Sequence, residues 1–120
     1  MGTSTVATSA ETARLAVEVA SDKQASEIVM LDLRGVSDFT DYFVILTAES
    51  PRQIESLAEE IETALETQGA TRHHREGSAQ GGWVLLDFSD IVVHLFHSEQ
   101  REFYDLEGAW PGGTETVRVQ

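Results

Sequence analysis

The chain has 120 residues, with 21 acidic side chains, 8 basic side chains and a formal net charge of −13. It contains no cysteine, which excludes a disulfide scaffold and a cysteine-based zinc site. Proteins that bind nucleic acid carry clustered lysine and arginine, so this acidic composition argues against DNA as a partner. The length suits one globular domain. Without a membrane-spanning apolar run or a secretory signal pattern, we expect no membrane partner and a cytoplasmic location.

The first predicted elements are a helix and two strands. Thr8 and Glu11 have the spacing of a capping box, which predicts a helix over residues 9–23. A short strand is predicted at 28–34. The aromatic and β-branched run at 42–47 predicts a central strand that is buried on both of its faces.

A second helix is predicted from its cap and its apolar periodicity. Ser50 is a favourable N-cap, Pro51 suits the first helical position, and Gln53 completes the S-x-x-Q pattern. One apolar stripe follows at helical spacing: Ile54, Leu57, Ala58, Ile61 and Leu65. The helix is therefore expected to pack along this stripe and to leave its glutamates in solvent.

The second half of the chain is richer in predicted strands. We expect strands at 70–75, 83–88 and 91–97, a flexible loop at 76–82, and a helix that is capped by Ser98 and ends near Glu107. The strand–helix–strand unit over 42–75 predicts that its two strands run parallel. The fold class is therefore α/β, a single domain with a mixed sheet of about five strands flanked by helices.

The two ends of the chain are predicted to lie outside this domain. Residues 1–8 are small and polar, so we expect them to be disordered. Residues 111–120 begin with Pro-Gly-Gly and are expected to form a flexible tail. The domain itself is predicted over residues 9–110.

The last two strands form a predicted hairpin with two distinct faces. If Ser89 and Asp90 form a two-residue turn, Phe88 pairs with Ile91, and paired residues share a face. One face is then wholly apolar and belongs in the core. The other face carries three cross-strand pairs: Trp83–Phe96, Leu85–His94 and Asp87–Val92. This mixture of aromatic rings, an imidazole and a carboxylate is typical of a recognition surface.

Two alternatives remain open for this hairpin. A helix that covers the second face would make His94 and Asp87 half-buried structural groups. A register shift of one residue would exchange the two faces, and Ser-Asp is not the preferred sequence of a type I′ turn.

The sequence offers little for catalysis or for metal binding. Neither His73–His74 nor His94–His97 has a spacing that puts both imidazoles on one side of a strand. Asp87 and Asp90 bracket a turn, where acidic residues commonly serve local hydrogen bonds. The basic cluster at 72–75 could contact a phosphate or could be a solvated strand edge. We therefore expect no metal and no cofactor.

Several motifs together resemble one known family. These are D-Y-F-V-I at 41–45, G-W-V-L-L-D at 82–87, D-I-V-V-H at 90–94 and R-E-F-Y-D-L-E at 101–107, followed by Trp110. In order and spacing they are similar to the ribosomal silencing factor family (RsfS, also called Iojap), over residues 11–110. Ser89 departs from the family pattern, in which glycine is common at this turn.

The resemblance implies a nucleotidyltransferase-like fold and a non-enzymatic role in translation. Members of the family bind the large ribosomal subunit through ribosomal protein uL14, on the face that meets the small subunit. They thereby block subunit association and repress translation under nutrient limitation. The resemblance also implies a homodimer in the free state. We expect at most minor contact with ribosomal RNA, and whether Arg72 and Arg75 touch it stays open.

The resemblance also implies a set of partner-binding residues: Trp83, Leu85, Asp87, His94, Arg101, Tyr104, Asp41 and Tyr42. Strand pairing alone had already put Trp83, Leu85, Asp87 and His94 on one face. An aromatic anchor beside a carboxylate suits a partner that is rich in lysine and arginine.

Two rival functions remain open. A nucleotidyltransferase enzyme needs a Gly-Ser turn followed closely by D-x-D or D-x-E to hold two metal ions; the chain has no D-x-D, and its one D-x-E, at 105–107, does not follow such a turn. The isolated Asp32 and Asp41 do not replace them. The other rival is an acidic adaptor for a different basic protein.

Overall fold

The computed structural model describes residues 8–120. In chain order its elements are α1 (Ser9–Asp22), β1 (Ser26–Asp32), β2 (Tyr42–Ala48), α2 (Pro51–Thr67), β3 (His74–Ser78), β4 (Trp83–Asp87), β5 (Ile91–His97), α3 (Ser98–Tyr104), α4 (Leu106–Ala109) and β6 (Thr114–Val119). The expectation of disorder at 1–8 falls on residues 1–7, which lie outside the described residues, and on Thr8, which caps α1.

The strands form one mixed sheet in the order β3-β4-β5-β2-β1-β6. Only β2 and β5 pair in parallel, and every other neighbouring pair is antiparallel. The predicted parallel direction of β2 and β3 is confirmed, although β4 and β5 lie between them. The α/β class and the mixed sheet are therefore confirmed, with six strands instead of about five.

Side-chain caps explain where the two long helices begin. Glu11 N donates to Thr8 Oγ1 at 3.1 Å and Thr8 N donates to Glu11 Oε1 at 2.8 Å, which completes the predicted capping box. At α2, Gln53 N donates to Ser50 Oγ at 3.1 Å. In a capping box the Gln53 side chain would accept from the N-cap residue, Ser50 N. Here it accepts from Glu49 N, one residue earlier.

The two faces of the sheet are covered unequally. Helices α1 and α2 lie against one face and bury the large core, which includes the whole apolar stripe of α2. A smaller cluster lies on the opposite face: Leu31, Leu33, Phe43, Ile45, Val92 and Phe96. Leu106 and Trp110 pack on that cluster, so the short α3–α4 segment covers only part of the second face.

The flexible tail predicted at 111–120 is wrong for most of its length. Residues 114–119 form β6, which pairs with β1 at the edge of the sheet, and Val117 and Val119 pack against the large core. This strand has one neighbour and alternates polar with apolar residues, so it carries no strong hydrophobic signal. The folded domain therefore extends past 110, to Val119.

Two further predictions are corrected by local backbone conformation. Strand β3 lies at 74–78 instead of 70–75, so three of the seven residues of the predicted loop at 76–82 are in the strand. Gly77 permits this because its φ is +83° and a Cβ there would collide with the Trp83 carbonyl oxygen. The predicted last helix begins with His97 as its N-cap instead of Ser98, and it divides in two at Asp105, which has a left-handed φ of 43°.

No helix among residues 8–120 is long and apolar enough to cross a membrane.

Candidate protein-docking face

The hairpin of β4 and β5 has the predicted register. Trp83 pairs with Phe96, Leu85 with His94, and Asp87 with Val92. Phe88 N donates to the Ile91 carbonyl oxygen at 2.9 Å, and Ser89 takes a positive φ of 74° in the turn. The alternative of a shifted register is therefore wrong, and the second face carries the mixed set of side chains.

Part of this second face remains accessible. Trp83, Leu85 and Asp87 are half-buried on β4, and Tyr104 at the end of α3 keeps 44% of its surface exposed. We call these four residues the open face. The α3–α4 segment packs over the neighbouring strands and its Tyr104 reaches Trp83, while Trp83, Leu85 and Asp87 stay partly accessible, so the alternative of a fully covering helix holds only in part.

Aromatic stacking holds the centre of the open face. The Trp83 ring stacks on Phe96 with a centroid distance of 5.0 Å and lies 4.5 Å from Tyr104. The Phe103 ring meets Tyr104 edge to face at 5.0 Å and is 80% exposed. Stacked aromatic side chains with one accessible side are typical anchors of protein interfaces.

Carboxylates border the aromatic centre. Asp87 Oδ1 accepts from Ser89 N at 2.7 Å, which fixes the carboxylate above the turn. Glu76 pairs with Leu85 across β3 and β4 and is therefore on the same face. The open face and its border thus combine apolar surface with negative charge, which suits a basic protein partner.

His94 lies beneath the open face. Its ring is 3% exposed, and its Nδ1 accepts a hydrogen bond from Trp83 Nε1 at 3.2 Å. Burial lowers the pKa of His94 to about 3, so the imidazole is neutral at neutral pH. His94, which the sequence prediction placed among the partner-binding residues, contacts Trp83 from beneath the surface and is not itself accessible.

Arg101 is also buried, at 8% exposure. Its Nη1 donates to Thr47 Oγ1 at 2.9 Å and to the Glu27 carbonyl oxygen at 2.7 Å, and its Nη2 lies 3.1 Å from Glu107 Oε1. The guanidinium is therefore engaged within the fold, where it ties the α3–α4 segment to the sheet.

Asp41 and Tyr42 are not brought to the open face. Tyr42 is 3% exposed and belongs to the large core on the opposite side of the sheet. Asp41 accepts a hydrogen bond from Ser9 Oγ at 2.9 Å, beside the start of α1. The prediction groups eight residues: four form the open face, His94 lies beneath it, and Arg101 contacts β1, β2 and Glu107 instead.

Phe103 is an accessible residue that the sequence prediction did not include. Neighbouring helical positions point about 100° apart, so Phe103 and Tyr104 cannot both lie on the sheet. Two adjacent aromatic residues in a predicted helix were therefore the sequence signal that one of them is exposed. Phe39, in the loop between β1 and β2, is 86% exposed and is not part of the open face.

The two arginines of the basic cluster at 72–75 form salt bridges within the protein. Arg72 Nη1 lies 3.0 Å from Glu62 Oε1, and Arg75 Nη2 lies 2.9 Å from Glu55 Oε2. Both partners are on α2, on the far side of the sheet from the open face. These pairs reduce the positive charge that the cluster could offer to RNA.

Side chains that could bind a metal ion do not cluster among residues 8–120. No three His, Asp or Glu side chains in that range lie close enough together to hold a metal ion. The arrangement at the open face supports binding through apolar contact, hydrogen bonds and charge.

Comparison with known proteins identifies the family. The model of the family described as "Ribosomal silencing factor during starvation" matches residues 6–120, which includes the sequence of β6. A ribosomal silencing factor RsfS of Halalkalibacterium halodurans is 37% identical over 110 residues, which cover 92% of this chain and 93% of the relative. That of Bacillus subtilis is 37% identical over 97 residues, which cover 81% of this chain and 82% of the relative.

A solved crystal structure is also similar to this chain. The crystal structure of a protein from Chromobacterium violaceum superimposes with a TM-score of 0.83 at 30% identity and covers 95% of this chain and 94% of its own. The similarity therefore extends over the whole described domain and includes both the sequence and the fold. The chain belongs to the ribosomal silencing factor family, RsfS.

Proposed function

We propose that this protein binds the large ribosomal subunit through ribosomal protein uL14 and sterically blocks association with the small subunit. In this way it represses translation under nutrient limitation, in the cytoplasm. The observation that carries the proposal is the open face, an accessible aromatic centre bordered by carboxylates in a chain of the RsfS family.

Charge supports a protein partner on the ribosome in preference to its RNA. The chain has a net charge of −13, Asp87 is part of the open face, and Glu76 borders it. Arg72 and Arg75, which could contact phosphate, are paired with glutamates of α2. A basic ribosomal protein meets this surface with complementary charge, whereas ribosomal RNA would be repelled by it.

The proposed mechanism is occlusion by a rigid body. The open face is built on a sheet strand and on a helix tied to the sheet by Arg101, so it needs no folding step when it binds. A preorganised surface loses little conformational entropy on docking. The remaining body of the domain then occupies space that the small subunit needs.

The test is a sedimentation profile of mixed ribosomal subunits with added protein. We expect the protein to sediment with the large subunit and to reduce the peak of joined ribosomes. Trp83→Ala should weaken binding to the large subunit by ~2 kcal/mol or more, about 30-fold, because it removes the central anchor. Phe39→Ala is the control, an exposed aromatic that is not part of the open face.

Three outcomes would contradict the proposal. Wild-type affinity of a folded Trp83→Ala variant would remove the open face from the interface. Binding to the large subunit without loss of joined ribosomes would favour the acidic adaptor. Clear micromolar binding of magnesium and a nucleoside triphosphate in a calorimetric titration would favour the enzyme. The proposed free homodimer is tested separately, by light scattering of the protein alone.

A further inference from the structure

The indole of Trp83 has one polar atom, and the structure gives it one partner. Trp83 Nε1 lies 3.2 Å from His94 Nδ1. Trp83 and His94 are diagonal neighbours on the hairpin, because Trp83 pairs with Phe96 and His94 pairs with Leu85. An indole N–H can only donate, so Nδ1 accepts and carries no hydrogen. The single hydrogen of the neutral imidazole is therefore on Nε2.

His94 Nε2 has no hydrogen-bond partner among the described residues, although it is buried. The neighbouring ring is that of Phe43, at a centroid distance of 4.5 Å and an angle of 70°. A buried N–H without an acceptor costs free energy, and an apolar side chain in this aromatic cluster would avoid that cost. What an apolar side chain could not provide is the acceptor for Trp83.

The Trp83 ring has freedom that this hydrogen bond removes. The residue is half-buried; its ring stacks on Phe96 and meets Tyr104 at an angle of 45°, and stacking on one ring alone allows the indole to turn in its own plane or to flip over. Once the N–H is directed at His94, one edge of the indole is turned inward and the opposite edge is presented outward. The orientation of the anchor is then settled before any partner arrives.

From this geometry we infer that His94 is a positioning residue, which accepts the indole N–H of Trp83 through Nδ1 and fixes the ring orientation that the open face presents to its partner. The inference rests on the proposed function as far as the partner is concerned. The arrangement in the free protein can be tested without any ribosome.

The first experiment uses the free protein. The indole N–H resonances of Trp83 and Trp110 are followed by NMR, and Trp110 is the internal control. In His94→Phe, hydrogen exchange at the Trp83 indole should accelerate about fivefold or more while Trp110 is unchanged. His94→Asn should restore slow exchange, because its side-chain oxygen is as many bonds from the backbone as Nδ1. Unchanged exchange at Trp83 in a folded His94→Phe would overturn the inference.

The second experiment measures affinity for isolated large subunits. His94→Phe should weaken binding about threefold to tenfold, the effect of freeing one ordered side chain. His94→Asn should recover most of that loss. Trp83→Phe removes the donor, so adding His94→Phe to it should change affinity less than about twofold. An equal loss from His94→Phe in both backgrounds would show that His94 acts independently of Trp83 and would overturn the inference.

These two experiments separate the inference from the proposed function. If Trp83→Ala binds large subunits as the wild type does, the docking proposal fails and the indole exchange still reports whether His94 holds the ring. If Trp83→Ala loses binding while His94→Phe retains both binding and slow exchange, the docking proposal stands and the positioning role of His94 is refuted.

Discussion

Arg101 Nη1 donates a hydrogen bond to the backbone carbonyl oxygen of Glu27 at 2.7 Å, and so joins helix α3 to the first strand. Glu27 lies where the pairing of β1 with β2 shifts register, and its φ is 47°. This register shift is a β-bulge, which leaves the Glu27 carbonyl oxygen free to accept a hydrogen bond from a side chain. Arg101 and Glu107 then hold the α3–α4 segment, and with it Tyr104, against the sheet.

Removal of the Arg101 guanidinium should destabilise the fold. Arg101→Met leaves the Glu27 carbonyl and Thr47 without their donor and one side of Glu107 unpaired, so we expect a loss of ~2–3 kcal/mol in the free energy of unfolding. Urea denaturation followed by circular dichroism measures it. Arg118→Met is the control: it removes a more exposed partner of Glu107 and should cost below ~1 kcal/mol. Equal losses in the two variants would contradict a special role for Arg101.

Replacement of Ser89 by glycine should increase the stability of the fold. Its φ of 74° lies in the left-handed region, which disfavours every side chain with a Cβ. The Asp87 carboxylate accepts from the Ser89 backbone N–H, which a substitution retains. We therefore expect Ser89→Gly to be more stable than Ser89→Ala by ~0.5–1 kcal/mol in thermal or urea unfolding. A more stable alanine variant would show that the turn does not keep this conformation.

Local patterns in the sequence were sufficient to predict the elements with strong periodicity. The capped amphipathic helix α2 and the hairpin register around Ser89 follow from spacing alone, because one face of each must be buried. Strand β6 was not predictable in this way. This strand forms by pairing with β1, which lies more than 80 residues earlier in the chain. In sequence, a polar edge strand is hard to distinguish from a loop.

The sequence likewise predicts only part of the candidate site, the part that depends on local patterns. Alternation along β4 predicts that Trp83, Leu85 and Asp87 share a face, and they do. Whether a residue near that face is exposed depends on what packs over it, which no local pattern contains. His94 and Arg101 are therefore buried where surface contact was predicted, and Tyr42 lies in the opposite core.

The burial of His94 predicts a loss of stability in mild acid. Its folded-state pKa is about 3, below the ordinary value of 6.5, so the unfolded chain binds a proton more readily. The stabilisation is complete above pH 6.5 and decreases as the pH falls toward 3. Between pH 7.5 and pH 5 we expect a loss of ~2 kcal/mol from this group, a range that lies above the titration of ordinary carboxyl groups.

Urea unfolding at these two pH values measures the effect. His94→Phe should lose this part of the pH dependence, and His74→Gln, which alters an exposed imidazole, should retain it. If the wild type and His94→Phe lose the same stability between pH 7.5 and 5, His94 is accessible to protons in the folded state.

Phe103 should contribute to binding although it is not required for folding. It is 80% exposed and extends the aromatic centre beyond Tyr104. Phe103→Ala should weaken binding to large subunits by ~1 kcal/mol, about fivefold, with the free energy of unfolding unchanged within ~0.5 kcal/mol. Phe39→Ala removes an aromatic of similar exposure from the β1–β2 loop and should leave affinity unchanged. Equal effects of the two substitutions would place Phe103 outside the interface.

Salt dependence distinguishes contact with a basic protein from contact with RNA. The open face includes the Asp87 carboxylate and is bordered by that of Glu76, and the arginines at 72 and 75 are paired within the protein. We expect the logarithm of the association constant to fall with the logarithm of salt concentration with a slope of about −1 to −2, measured by sedimentation with large subunits. Asp87→Asn keeps an acceptor for the turn and should make the slope shallower, whereas Arg72→Gln should not change it. A slope steeper than about −5, of the kind produced by many phosphate contacts, would move the interface from the ribosomal protein to the RNA.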